Sequence, residues 1–144
     1  MNHPFYDMLP MVIGKIQKDF HHQMNEKMKE YNITTAQLIY LLILSAENKM
    51  TLKELTAAAN FDKAYTTKII HELTEKGYIG NDKKSVSSRK YHIFLTNEGK
   101  DYIKIINKHA KQIRENILCK LPKDDKQKIV ETLKQAIIYL EDKN

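Results

Sequence analysis

Residues 51–95 read TLKELTAAANFDKAYTTKIIHELTEKGYIGNDKKSVSSRKYHIFL. Thr51 and Glu54 stand three apart, the spacing of a capping box, in which a threonine hydroxyl accepts from the N3 amide and a glutamate reaches back to the threonine amide. A short helix from Leu52 to Ala59 is predicted to follow. Asn60-Phe61 is a tight turn, and Asp62 caps a longer helix over Lys63 to Lys76. Gly77, just past it, supplies the left-handed residue that ends a helix. Tyr78-Ile79-Gly80 reads as a strand. Tyr91, Ile93 and Leu95, alternating with His92 and Phe94, read as a second strand, and the polar stretch Asn81 to Lys90 joins the two as a hairpin.

Helices are expected on both sides of this segment. Toward the N-terminus, Leu9, Ile13, Ile16, Phe20, Met24 and Met28 recur every three or four residues, one face of a helix over Leu9 to Glu30. Thr34 or Thr35 caps the next helix, which runs to about Ala46 and carries the apolar run Leu38 to Leu44, read as buried on most sides. Glu47-Asn48-Lys49 is a turn. Toward the C-terminus, Tyr102, Ile105, Ile106, Ala110, Ile113 and Ile117 stripe one long helix. Ile129, Leu133, Ala136, Ile137 and Leu140 stripe a last one, after Pro122 and with Asp124 and Asp125 early in it.

The predicted fold is therefore mainly α with a small β-wing: a winged helix-turn-helix over residues 33–95, within one domain of 1–144. The flanking segments 1–31 and 97–144 carry stripes with no evident core left to cover, so they are expected to pair two copies of the chain.

The helix after Asp62 turns Thr66, Ile69, Ile70 and Leu73 inward. Lys63, Ala64, Tyr65, Thr67, Lys68 and His71 remain outward. Lysine donates to guanine edges or phosphate, threonine to bases or phosphate, and a small alanine permits close approach. The helix N-terminus also favours phosphate. The hairpin adds Lys83, Lys84, Ser87, Ser88, Arg89 and Lys90, four of them cations on a loop suited to the narrow, electronegative minor groove. These two groups are the candidate DNA-binding residues. A winged helix that binds another protein is the alternative, disfavoured by the basic loop.

The segment Leu73-Thr74-Glu75-Lys76-Gly77-Tyr78-Ile79, then Arg89, then Leu95-Thr96-Asn97-Glu98-Gly99-Lys100 resembles the MarR family of transcription regulators, as does Ile33-Thr34-x-x-Gln37. The resemblance implies a homodimeric repressor that binds a palindromic operator in double-stranded DNA and is released by a small-molecule effector. It implies Arg89 as the wing arginine. The family's wing aspartate would fall at Ser87, which carries no charge to hold that arginine.

Composition fits this reading. A chain of 144 residues suffices for one core, and 42% apolar with 29% charged residues is ordinary for a globular protein. The net charge is +6, and residues 61–100 and 101–144 each carry +3 while residues 1–60 cancel. Positive charge concentrated in this way suits a polyanionic partner. The apolar run is too short to span a membrane and the N-terminus lacks a signal-peptide pattern, so a cytoplasmic location is expected. Cys119 is the single cysteine, expected to pack as a small apolar filler with little redox role. His21 and His22 are adjacent and no His-x-x-x-His or Cys-x-x-Cys pair occurs, so no metal or cofactor is expected. No catalytic grouping is recognisable, and an enzyme is not expected.

Overall fold

The computed structural model describes residues 9–142. Six helices alternate with three short strands: α1 Leu9–Glu30, α2 Thr35–Glu47, β1 Lys49–Met50, α3 Leu52–Ala59, α4 Lys63–Glu75, β2 Ile79–Asn81, β3 Ile93–Leu95, α5 Asn97–Ile117 and α6 Lys123–Glu141. The chain divides into two compact units, the first reaching to Ala110 and the second starting at Lys111, with α5 running through the division.

The helix starts follow from local chemistry. Thr34 caps α2, its hydroxyl accepting from the Gln37 amide while the Gln37 side chain accepts from the Thr34 amide. Thr51 and Glu54 make the expected reciprocal pair at α3. Asp62 caps α4 by accepting from the Tyr65 amide at 2.9 Å. Asn60 takes the left-handed conformation between α3 and α4 with φ 55°, a region asparagine tolerates better than most residues.

The core of the first unit gathers Tyr40, Leu41 and Leu44 of α2, Leu55 of α3, Ile69 and Leu73 of α4, the strand residues Ile79, Ile93 and Leu95, and Tyr102 and Ile106 of α5, all buried. The α2 run is less enclosed than its composition suggests, because Ile39 and Leu42 are exposed. The stripes of α1 and α5 are partly covered within the chain: Met24, Met28, Tyr102, Ile103, Ile106 and Ile113 are buried. Met11, Ile13 and Ile16 of α1 remain exposed. In the second unit, Ile129, Leu133 and Ile137 of α6 are exposed along one side of the helix.

Two expectations are corrected. The turn expected over Glu47-Asn48-Lys49 gives way at Lys49 to a strand, β1, so the sheet has three antiparallel strands in the order β1-β3-β2, with Lys49 opposite Phe94 and Ile79 opposite Leu95. Two residues are too few to show a period. Cys119 lies beyond the end of α5 and is exposed. It is not a packed filler, because the helix stops at Ile117 before reaching it.

Buried polar bridges fix α4 against α2. The Tyr40 hydroxyl lies 3.0 Å from Thr66 Oγ1 in the core. Thr66 gives its own proton to the Asp62 carbonyl, which leaves Tyr40 as the donor. Gln37, also buried, donates to Glu72 at 2.7 Å and accepts from the Lys76 ammonium at 2.9 Å. Lys76 donates in addition to the Asn32 carbonyl. Both ends of α4 are thus tied to α2.

The exit from α4 is locked to the start of α5. Gly77 sits at φ 78°, and its carbonyl accepts from Thr96 Oγ1 at 2.6 Å. The Tyr78 carbonyl accepts from the Thr96 amide at 3.1 Å, and the Gly99 amide donates to Thr96 Oγ1 at 3.1 Å. A Cβ on Gly99 would stand 2.1 Å from the Tyr78 carbonyl oxygen, far inside contact distance and against backbone that cannot swing away. Gly99→Ala should therefore lower the unfolding free energy by roughly 2–4 kcal/mol. Gly14→Ala, where a Cβ meets nothing within 4 Å, should be neutral or stabilising. Urea denaturation of both variants checks this, with equal midpoints as the contrary result.

Candidate nucleic-acid interface

Helix α4 presents the outward residues where its periodicity placed them, except Tyr65, and Ile70 on the inward face is half-buried. Lys63, Ala64, Thr67, Lys68 and His71 are exposed, while Thr66, Ile69 and Leu73 face the core. Tyr65 is half-buried, because its ring packs on Phe61 at 5.0 Å between centroids. Phe61 in turn stacks on Tyr40 at 6.2 Å. This aromatic row carries the rigidity of α2 out to the first turn of α4. The Thr67 hydroxyl donates to the Lys63 carbonyl at 2.8 Å, so toward a ligand it offers a methyl group and acceptor lone pairs. Lys68 lies 3.9 Å from Glu72, and His71 3.5 Å from Glu75. Such exposed pairs contribute under about 1 kcal/mol and exchange readily for a phosphate or base partner.

One expectation about α4 changes. Asp62 occupies an amide at the helix start and puts a carboxylate there, so attraction of phosphate near this end falls to side chains such as Lys63.

The wing rises from a clamped base. The Asp82 amide donates to the His92 carbonyl at 3.1 Å, and the His92 amide donates to Asp82 Oδ1 at 2.6 Å. His92 Nδ1 lies 3.0 Å from Asp82 Oδ2. Above the clamp, the Lys83 ammonium sits 4.1 Å from the centre of the Tyr91 ring, an attraction of about 0.5–1 kcal/mol at an exposed site. At the tip, the Ser88 amide donates to the Ser85 carbonyl and the Ser85 amide to Ser88 Oγ, both at 3.1 Å, which closes a turn over 85–88. Ser87 Oγ lies 3.1 Å from Ser85 Oγ. Ser87 therefore serves the turn, and among the described residues no ion pair holds Arg89. Lys84, Arg89 and Lys90 are exposed, and Ser88 is half-buried.

Helix and wing meet at one cleft of about 780 Å³. Leu52 and Phe61 line it together with four cations: Lys53 of α3, Lys63 of α4, and Arg89 and Lys90 of the wing. Lys53 is absent from the candidates named from sequence. Its signal was its position in the first turn of the helix before α4, but nothing in the chain order showed that the wing folds back beside it. The strand β1 explains this fold-back, since it joins the start of α3 to β3. Among the described residues no group of three or more His, Cys, Asp or Glu side chains is placed to hold a metal, and no helix is long and apolar enough to cross a membrane.

The His92 amide, and after it the His92 ring, hold Asp82 below the usual carboxylate range. The Thr51 amide and hydroxyl do the same for Glu54. A depressed carboxylate adds stability that is fully in place above about pH 4 and is lost as the pH falls through its lowered value. The wing clamp should therefore open in acid. In an NMR titration from pH 6 to 2, the His92 amide should move upfield with a midpoint below the ordinary aspartate value, and Asp82→Ala should start at the upfield position and stay there. A midpoint at or above the ordinary aspartate value would contradict the clamp.

Comparison with known proteins places these features. The family model for the transcriptional regulator SarA/Rot matches residues 23–106. The chain is 26% identical over 98 residues to the HTH-type transcriptional regulator BilQ of Clostridioides difficile, covering 68% of this chain and 66% of that one. It is 30% identical over 86 residues to the HTH-type transcriptional regulator SarZ of Staphylococcus saprophyticus, covering 60% and 59%. The chain thus spans about two thirds or less of these relatives' own length. The fold resembles a MarR family protein from Bacillus stearothermophilus with a TM-score of 0.81 at 18% identity, covering 98% of this chain and 99% of that one.

Proposed function

This chain belongs to the SarA/Rot family of transcriptional regulators, and on that premise we propose that it is a homodimeric repressor that grips a palindromic operator with α4 in the major groove and the wing in the adjacent minor groove. The observation that carries this reading is the shared cleft: Lys63 of α4 and Arg89 and Lys90 of the wing line one concavity. A single sugar-phosphate strand separates the two grooves of a duplex, and a cationic cleft between two groove-reading elements suits its passage. On this reading Tyr65, Thr67, Lys68 and His71 face base edges, and Ala64 permits the approach. Lys63, Lys83, Lys84, Lys90, Ser87 and Ser88 act on phosphates. Arg89 enters the minor groove. The chain is then a cytoplasmic binding protein and not an enzyme, and a small-molecule effector that changed the spacing of the two α4 helices would release the operator.

Dimerisation follows from geometry that a palindrome demands, with the two α4 helices about 34 Å apart, one helical turn. The exposed apolar residues Met11, Ile13 and Ile16 of α1 and Ile129, Leu133 and Ile137 of α6 supply surface of the kind a second copy would cover, with α5 as the connecting element. Sedimentation at micromolar concentration should give a dimer, and Leu133→Glu with Ile137→Glu should give a monomer. A wild-type monomer would contradict the reading.

The helix and the wing divide the work. Losing a base contact costs about 1–3 kcal/mol and relaxes choice at that base, whereas a wing contact to a groove with a degenerate pattern adds mainly affinity. Thr67→Ala and Lys68→Ala should change the half-site recovered by binding selection from random duplexes. Arg89→Ala should weaken binding to most sequences and leave the consensus in place. A half-site rewritten by Arg89→Ala and untouched by Lys68→Ala would reverse these roles.

A further inference from the structure

The wing tip carries one residue that neither charge nor packing explains. Val86 is 101% exposed, the extreme value among the large apolar side chains described. A lone exposed valine is ordinary on a protein surface, but its setting is not. The sequence around it is Lys83-Lys84-Ser85-Val86-Ser87-Ser88-Arg89-Lys90, with a pair of cations on each limb of the hairpin and Val86 at the first corner of the Ser85–Ser88 turn. That turn is held by its own hydrogen bonds, and the base below it is clamped by Asp82 and His92. The apex is therefore built, and what it presents outward is an isopropyl group between short hydroxyl side chains.

We infer that Val86 is a specificity-determining contact that rests on the floor of the DNA minor groove and rejects guanine there. This rests on the DNA-binding reading above and names a residue and a chemical feature within it. Lys83 and Lys84 on one limb and Lys90 on the other suit the two phosphate walls of the groove, which leaves the floor to the apex, beside the entering Arg89. A·T and T·A pairs show the floor only the adenine N3 and thymine O2 acceptors, whereas a G·C pair adds the guanine 2-amino group. An isopropyl group cannot hydrogen-bond that amine. It would bury the amine without a partner and collide with it, while over an A·T pair it meets a smooth floor. Valine is also stiff about χ1, so it has few ways to step aside. Its side chain is too short to wedge between stacked bases in the manner of longer apolar residues, so it acts by contact and not by kinking.

The test uses the full-length chain and a palindromic duplex recovered by binding selection. Flanking pairs that lie in the wing's footprint are made A·T, G·C or inosine·C. Inosine keeps the major-groove edge of guanine and lacks the 2-amino group. Wild type should bind the A·T and inosine·C duplexes about fivefold more tightly than the G·C duplex, at the low end of what a mismatched position costs. Val86→Ala and Val86→Ser should bring all three to within about twofold of one another, with the circular dichroism and thermal midpoint of wild type. Inosine·C binding like G·C would overturn the inference, since the 2-amino group would then not matter. Discrimination kept in Val86→Ala and lost in Arg89→Ala would overturn it too, assigning the preference to groove electrostatics. Wild type failing to bind any duplex saturably would overturn the DNA-binding reading itself, and this inference with it.

Discussion

The approach of Gly99 to the Tyr78 carbonyl is the constraint on which the arrangement depends. No side chain fits between them. The residue that leaves α4 and the residue that opens α5 therefore touch through backbone, and Thr96 closes the contact with bonds to Gly77, Tyr78 and Gly99. From this knot β2 departs and to it β3 returns, so the knot aims the wing. Without it the hairpin would still pair, and its direction relative to α4 would rest on the β1–β3 pairing and on the burial of Ile79, Ile93 and Leu95.

The second constraint is the way α4 is held. A helix that reads base edges must keep its inward face fixed and its outward face uncommitted. The Tyr40–Thr66 bond in the core and the Gln37 bridges to Glu72 and Lys76 meet the first need. The weak exposed pairs of Lys68 and His71 meet the second. The wing follows the same division, with a bonded base and tip around exposed Lys84, Arg89 and Lys90. The substitution of Ser87 for a wing carboxylate fits this pattern: its hydroxyl lies beside Ser85 in the tip, so the turn is kept by serines and Arg89 is left to the solvent side.

Much of this was legible in the sequence, for identifiable reasons. Capping signals act over three residues, and so Thr51 and Asp62 marked two helix starts and the Thr34-Thr35 pair marked a third, to within one residue. Gly77 stood out as the left-handed residue that ends α4, whereas Gly99 was legible only as part of a family-like segment, and the carbonyl that excludes its side chain came from the fold. The outward face of α4 followed from its period. What escaped was non-local. β1 has two residues and shows no pattern without its partner β3. Lys53 reaches the cleft only because β1 folds α3 beside the wing. The exposure of Cys119 depended on where α5 stops, which apolar spacing alone does not fix. The burial of Met24 and Met28 of α1 and of Tyr102, Ile106 and Ile113 of α5 depended on tertiary contacts, so less apolar surface is left uncovered than the stripes suggested.

The central claim is that α4 and the wing engage neighbouring grooves of one duplex, twice, about a two-fold axis. Methylation interference separates the grooves directly, because dimethyl sulfate marks guanine N7 in the major groove and adenine N3 in the minor groove. On the selected operator, guanine N7 interference should fall in two patches about 10 base pairs apart, each with an adjacent patch of adenine N3 interference. Removing residues 83–90 in favour of a short glycine-containing turn should abolish the adenine patches and leave the guanine patches weakened but in register. A single guanine patch, or adenine interference that survives loss of the wing, would contradict the account.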